Sequence, residues 1–200
     1  MPSSALRPLA FAYAVISVAD LDQALDLWQV RFGLDRVLRR QGSDPGLEKL
    51  WGLGAGDIVD QVLLRTPGMS QGGAHLVRFR APGPAVREGA APTDLVPKNI
   101  DLATRDLPAR QAELQAAGYQ FRSPIGKFVT EQMVVHQVHL AIHDGLNLVF
   151  FEREGVAERV GPSGYGVMPQ IVAVSPDNTR EARFFAAVLG PRPRFDAGGA

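Results

Sequence analysis

The chain has three stretches in which an apolar, strand-like run ends at an aspartate and an amphipathic helical pattern follows. In the first stretch, the apolar run 13–19 ends at Asp20, and apolar residues then recur at helical spacing between residues 21 and 32. An aspartate caps a helix well because its carboxylate accepts hydrogen bonds from free backbone N–H groups. Gly33 is typical of the residue that follows a helix. The pattern therefore predicts a strand, a helix and a stop.

The same order of elements returns in residues 99–118 and begins again in residues 170–190. Strand-like segments follow the first two helices. They are residues 36–40, 58–65 and 75–80 in the first copy, and 119–122, 134–142 and 146–151 in the second. Each complete copy therefore predicts a βαβββ module, and a repeat of this length is typical of duplicated modules.

These patterns predict one domain over residues 8–155, built from two modules at 10–82 and 97–155. Residues 83–96 are rich in Pro, Gly and Ala, which is typical of a linker. Residues 156–200 are predicted to start a third module that is incomplete.

Two consecutive βαβββ units, with Asp20-Leu21 and Asp106-Leu107 at the ends of their first strands, resemble the vicinal oxygen chelate superfamily. This superfamily contains glyoxalases, bleomycin-resistance proteins and extradiol dioxygenases. The resemblance implies an α+β fold in which tandem modules form an open barrel around a central cleft, here with a partial third module. It also implies a small-molecule ligand or substrate and, by analogy, a homodimer.

Composition narrows the class of partner. Twenty-one basic residues balance 21 acidic ones, so no overall field attracts nucleic acid or an anionic membrane surface. No segment has the ~20 consecutive apolar residues of a membrane helix. Because the chain has no cysteine, thiolate metal sites and a cysteine nucleophile are excluded. We expect a cytoplasmic protein, although Arg7 and the apolar run 9–16 leave a signal peptide as the alternative to a buried first strand.

The resemblance implies divalent metal held by His or Glu on the first and last strands of the modules. Here the first-strand positions hold Tyr13 and Asn99, and the corresponding position of the third copy holds Gln170. The last-strand positions fall near Arg78 and Phe150, which bind no metal. We therefore expect no metal cofactor at the usual site.

A relocated site for Fe, Zn, Mn or Ni is the fallback, with His136, His139 and Glu152 as ligands. The two histidines are three residues apart, so a regular strand would point them to opposite faces. Only a bulge would bring both to one ion. Solvated or hydrogen-bonded histidines are the alternative.

The last strands of the two modules align without a gap, residues 73–80 over 145–152. Because residues two apart on a strand share a face, Arg80 and Glu152 are expected to face the same cleft as Arg78 and Phe150. The alternative places both arginines on a solvated face, with Glu152 paired to one of them.

Two functions follow. In the first, the protein is an isomerase, a lyase, a ring-modifying enzyme or an atypical dioxygenase. Glu152 carries the proton, Tyr13 and Asn99 orient an oxygen, and Arg78 holds an anion. Further substrate contacts are assigned to Arg80, Phe150, Trp51 and His139. In the second, the protein binds or sequesters a small molecule without catalysis, as bleomycin-resistance proteins do. The density of polar groups favours the enzyme, and the burial of Glu152 is the feature that discriminates.

Overall fold

The structure is a computed structural model of the 200-residue chain. It describes residues 11–85, 89–91, 93–95, 97–130, 133–143 and 145–189. Arg7, the beginning of the apolar run 9–16 and the predicted stop at Gly190 lie outside the described residues. From Tyr13 onwards the apolar run is a strand.

The first repeat forms a four-stranded sheet with the strand order β1-β4-β3-β2, in which β1 is parallel to β4. Its elements are β1 (Tyr13–Ser17), α1 (Leu21–Leu25), β2 (Asp35–Gln41), α2 (Pro45–Trp51), β3 (Ile58–Arg65) and β4 (Gly73–Phe79). A π-helical turn, Asp26–Arg31, continues α1. Asp20 caps α1 by accepting hydrogen bonds from the backbone of Asp22 and Gln23, which fits the predicted N-cap.

The second repeat forms a five-stranded sheet with the order β6-β7-β8-β5-β9. Its elements are β5 (Pro97–Ala103), α3 (Leu107–Ala116), β6 (Gly126–Val129), β7 (Val134–Ile142) and β8 (Leu146–Arg153). The third opening supplies β9 (Gln170–Ala173) and α4 (Asn178–Leu189). Strand β9 pairs antiparallel with β5, so the third repeat completes the edge of the second sheet.

The strand predicted at residues 119–122 is wrong, because the structure reduces it to one bridge between Phe121 and Leu140. The second strand of this module begins instead at Gly126. Pro124 lies between the two segments and has no N–H group to donate to a ladder, so a continuous strand through it is disfavoured.

The two repeats share one hydrophobic core, which lies between their sheets and helices. Phe32 follows α1, and its ring lies 5.6 Å from that of Phe150 on β8 and 4.7 Å from that of Tyr165. Trp28 is fully buried beside them. Because the rings come from three separate segments of the chain, the repeats are packed together through aromatic contacts.

The segment that precedes β9 connects the repeats by hydrogen bonds. The Thr66 hydroxyl donates to the Gly166 carbonyl at 2.5 Å, and the Met168 N–H donates to the Gly72 carbonyl at 3.1 Å. Gly72 has φ +67°, and a Cβ atom there would overlap the Met168 carbonyl oxygen. The positive φ and the nearby carbonyl oxygen therefore both require glycine at position 72.

The gapless alignment of the last strands is wrong by two residues. The parallel ladders pair Tyr13 with Gly73 in the first sheet and Asn99 with Asn147 in the second. With Tyr13 matched to Asn99 by their distance from the helix cap, Gly73 therefore corresponds to Asn147 rather than to Gly145. The alignment followed residue identity, whereas backbone hydrogen bonding sets the register. Arg78, not Arg80, thus occupies the position of Glu152.

The described residues form two open sheets of four and five strands, and those sheets do not close into a barrel. The α+β class with paired modules is therefore confirmed. In the part of the chain that the structure describes, every helix is too short or too polar to cross a membrane.

Candidate functional site

A cavity of about 500 Å3 lies beside β1, where the ends of β4 and the beginnings of β5 and β8 come together. Residues 81–85 and Ile171 of β9 complete its wall. Most of its lining is aliphatic or proline. The polar groups that line it are Ser17, Arg78, Arg80, Asn99 and His143. A volume of this size with a few convergent polar groups is typical of a small-molecule site.

Three of the residues predicted from sequence therefore lie together on the cavity wall, namely Arg78, Arg80 and Asn99. The Nε and Nη2 atoms of Arg80 both donate to the Gly56 carbonyl, at 2.9 and 2.6 Å. Arg78 is exposed to solvent at the cavity.

His143 was not predicted as a site residue, yet it also lines the cavity. It lies in the turn between β7 and β8 with φ +29°. The indole Nε1–H of buried Trp28 donates to His143 Nε2 at 2.7 Å. An indole N–H can only donate, so His143 Nε2 is the acceptor in this contact and carries no proton.

Behind Asn99, a polar cluster lies on the face of the second sheet that is turned away from the helices. Asp101 accepts hydrogen bonds from the side-chain amides of Asn99 and of Gln170 on β9. Asp101 is buried, and this burial raises the pKa of its carboxyl group, while the two amide donors and nearby His139 oppose the shift.

His139 belongs to the same cluster. Its Nδ1 lies 2.9 Å from the amide nitrogen of Asn147, and its Nε2 lies 3.3 Å from that of Gln137. Burial lowers the pKa of the His139 imidazole, against the attraction of the Asp101 carboxylate. Asn147 is buried, and its Oδ1 atom has no hydrogen-bond partner among the described residues. The cluster is thus assembled from four strands. Burial in it favours the uncharged forms of both Asp101 and His139.

Two predicted cleft residues are placed elsewhere, so their assignment is corrected. Phe150 is fully buried in the aromatic core between the repeats. Glu152 accepts the backbone N–H groups of Asp106 and Leu107 at 3.1 and 2.9 Å, and so caps α3. A carboxylate at a helix N-terminus is stabilised by the free N–H groups and the helix dipole. Glu152 therefore stabilises the start of α3.

Tyr13 and Trp51 lie outside the cavity lining. The Arg65 guanidinium lies 4.9 Å from the centre of the Tyr13 ring. The Trp51 ring lies 5.9 Å from that of His75, on the first sheet. Both contacts lie within the first module.

The residues that the sequence assigned to the superfamily's metal positions do not suit a metal ion. Arg78 is a cation and Phe150 has no donor atom. The ladders also show that these two positions are not equivalent, because Arg78 corresponds to Glu152 and Phe150 to Leu76. Asn99 and Gln170 both direct amide groups at Asp101. Among the described residues there is also no group of three His, Asp or Glu side chains that could hold an ion.

The three fallback ligands make separate contacts. His136 lies opposite Glu152 in the β7–β8 ladder, but its Nε2 atom lies 2.7 Å from the Glu154 carboxylate in an exposed pair. His139 belongs to the cluster around Asp101, and Glu152 caps α3. A relocated metal site at His136, His139 and Glu152 stays a prediction from the sequence.

Sequence reasoning missed Asp101, His143 and Asn147. Asp101 carried a usable signal, since it lies two residues after Asn99 and must share its strand face. His143 carried none, because its contact with Trp28 joins residues 115 positions apart.

Comparison with known proteins supports the fold. No protein-family model and no curated protein sequence matches the chain. Among solved structures, a glyoxalase family protein from Bacillus cereus has 17% identity and a TM-score of 0.62, over 76% of this chain and 99% of that one. Glyoxalase I from Zea mays has 16% identity and a TM-score of 0.59, over 90% of this chain and 54% of that one. A glyoxalase family protein from Enterococcus faecalis has 13% identity and a TM-score of 0.50, over 71% of this chain and 96% of that one.

These likenesses define the class as an α+β protein with paired modules. The chain has a glyoxalase-like fold, which confirms the fold expected from the sequence. Identities this low establish the fold and leave the activity to be argued from the site.

Proposed function

We propose that the protein binds a small organic molecule in the cavity beside β1, without a metal ion. The observation that carries this proposal is the cavity itself, about 500 Å3 with an aliphatic wall and a few polar groups at one end. Arg78, Asn99 and His143 are the groups that would contact the ligand. The first-strand residues Asn99 and Gln170 argue for metal-independent binding, because both direct amide groups at Asp101.

The test uses N-phenyl-1-naphthylamine, an uncharged dye whose fluorescence rises in an apolar site. Two exposed valines provide a matched pair of variants: Val15 on β1 lines the cavity, whereas Val37 on β2 does not. Val15→Trp should fill the cavity and weaken dye binding about tenfold or more, as expected for lost burial of a large apolar group. Val37→Trp should leave binding unchanged. Equal binding by both variants would refute the cavity as the site.

Proton-transfer catalysis is the second candidate, and the position of Asp101 favours it. A buried carboxyl group whose pKa is raised, beside an imidazole, is suited to take up and return a proton. The pair Asp101 and His139 would replace Glu152 in the role expected from sequence. Asn99 connects it to the cavity, since it lines the wall and donates to Asp101.

Deuterium exchange tests this second candidate. Phenylpyruvate has an apolar body and an acidic C–H bond next to its carbonyl group. In D2O, the base would remove that proton and return a deuteron, so its NMR signal should disappear faster with the protein present. Asp101→Asn should abolish the acceleration, whereas Glu152→Gln should preserve it. The opposite order would restore Glu152 as the proton carrier.

A homodimer and a cytoplasmic location stay predictions from analogy and composition. Sedimentation velocity at several protein concentrations tests the first. Elemental analysis of protein purified without chelator or a nickel column tests the expectation of no bound metal. Stoichiometric metal that is retained on dialysis would refute it.

A further inference from the structure

The cavity has an unbalanced charge. Of the described residues that line it, two carry a guanidinium group, Arg78 and Arg80, and none is an aspartate or a glutamate. The other polar lining groups are Ser17, Asn99 and His143, and the rest of the wall is apolar. Both guanidinium groups are exposed at the cavity, and no carboxylate among the described lining residues offsets their charge.

Arg80 keeps its full charge although it is hydrogen-bonded. Both of its bonds go to the carbonyl oxygen of Gly56, which is a neutral acceptor. The group is therefore fixed in place without an ion-pair partner among these bonds. It adds a permanent positive potential to one end of the cavity.

Arg78 also borders a second, polar depression that contains three carboxylates, so their partners matter. Asp60 lies opposite Arg78 in the ladder, but it accepts two hydrogen bonds from Arg39, at 3.3 and 2.7 Å. Asp22 is 3.9 Å from the same guanidinium. Asp20 accepts backbone N–H groups at the start of α1. Each nearby carboxylate thus has another partner, and the exposed Arg78 guanidinium is available to a ligand.

The apolar part of the cavity complements this charged end. Val15 and Ile171 lie on its wall with 55% and 45% of their surfaces exposed. Pro82, Pro84 and Leu146 add further apolar surface. Covering such side chains with an apolar ligand is favourable in proportion to the area removed from water.

We propose that the ligand is an amphiphilic organic anion, with its apolar body against β1 and Ile171 and its carboxylate, sulfonate or phosphate oxygens at Arg78. This inference rests on the proposed function, since it names the ligand class of the same cavity. A guanidinium provides a planar pair of N–H donors that matches such oxygens. Arg80 contributes through its field rather than through a new bond, because its donors already bind Gly56.

The test compares two dyes that differ only by a sulfonate group: 8-anilino-1-naphthalenesulfonate and its uncharged parent, N-phenyl-1-naphthylamine. The wild-type protein should bind the sulfonate about tenfold more tightly than the parent, which is the size expected of one charge-assisted hydrogen bond. Binding of the sulfonate should weaken with added salt, whereas that of the parent should not.

Three variants locate the effect. Arg78→Gln should weaken sulfonate binding about tenfold and leave the parent dye within about twofold. Arg78→Lys keeps the charge and should restore part of the affinity. Arg36→Gln removes an exposed arginine on β2, outside the cavity, and should change neither dye.

The outcomes separate this inference from the proposed function. If the wild-type protein binds both dyes equally and Val15→Trp weakens the binding of both, the cavity is a binding site but the proposal of an anionic ligand is wrong. If neither dye binds the wild-type protein, the proposed function fails, and this inference fails with it. If Arg36→Gln weakens the sulfonate as much as Arg78→Gln does, the effect is general surface charge, and the role of Arg78 is overturned.

Discussion

The indole of Trp28 and the imidazole of His143 join the two repeats by a hydrogen bond of 2.7 Å. Trp28 belongs to the π-helical turn after α1, and its side chain is fully buried. His143 belongs to the turn before β8 and lines the cavity. A π-helical turn often marks a functional position, and here it presents the donor that sets the protonation of a cavity residue.

This contact predicts the tautomer of His143. The proton should reside on Nδ1, because Nε2 accepts the indole N–H. Long-range nitrogen–proton NMR spectra of the imidazole rings test this directly. Trp28→Phe should remove the donor and leave space in the core, at a cost of at least about 2 kcal/mol in the free energy of unfolding. An Nε2–H signal for His143 in the wild-type protein would contradict the assignment.

Glu152 is expected to matter for stability rather than for ligand binding. Glu152→Ala removes the acceptor for the N–H groups of Asp106 and Leu107, which should lower the free energy of unfolding by about 1 kcal/mol. Denaturant titration measures this loss. Glu154→Ala is the control, since it removes only an exposed pair with His136 and Lys127 and should cost less than about 0.5 kcal/mol. Ligand affinity lost without a change in stability would return Glu152 to the site.

The raised pKa of the Asp101 carboxyl group predicts how the stability of the fold depends on pH. Burial raises the pKa of this carboxyl group in the folded state above its unfolded value, so the folded protein binds the proton more tightly. Its contribution is complete below the unfolded pKa of about 4 and is lost as pH rises through the folded pKa. Relative to Asp101→Asn, the wild-type protein should therefore gain stability as pH falls from neutrality towards about pH 4.

Denaturant titrations at several pH values measure the difference between the wild-type protein and Asp101→Asn. Asp35→Asn is the control, because Asp35 is exposed on β2. A difference that stays constant with pH would mean that the Asp101 carboxyl group titrates alike in the folded and unfolded chains.

Gly72 and Gly68 provide a matched pair at the connection between the repeats. Both have positive φ, +67° and +74°, so the backbone strain of an alanine should lower the free energy of unfolding by a similar amount at each, about 1–2 kcal/mol. A Cβ atom on Gly68 would meet nothing within 4 Å, whereas one on Gly72 would overlap the Met168 carbonyl. Gly72→Ala should therefore lose about 1–3 kcal/mol more than Gly68→Ala in thermal or denaturant unfolding. Equal losses would show that the segment before β9 yields easily.

Much of the fold could be predicted because its signals are local. The helix that starts after Asp20 followed from a cap and an apolar period, and both features act between residues a few positions apart. The strand expected at residues 119–122 failed at Pro124, where a missing N–H group outweighs the apolar pattern. Local pattern is strong evidence for an element and weaker evidence for its limits.

The candidate site was predicted less well, because it depends on register. The sequence alignment matched Arg80 of the first repeat to Glu152 of the second, whereas the ladders match Arg78 to Glu152. At that shared position Glu152 caps α3, while in the first repeat Asp20 caps the helix alone. Arg78, at the same position of the first repeat, has no acceptor atom that could cap a helix N-terminus and is exposed at the cavity instead. Only the paired sheets reveal this difference between the copies.

By itself, the sequence determined the alternation of strands and helices, the two helix caps and the repeat of the βαβββ order. Neighbours within one or two turns encode these features through period, capping and backbone freedom. The tertiary structure alone decided that β9 joins the second sheet, that Asp101 is buried beside Gln170, and that Trp28 meets His143. Those contacts join residues 69 to 115 positions apart, so they depend on how whole sheets pack, which no local pattern specifies.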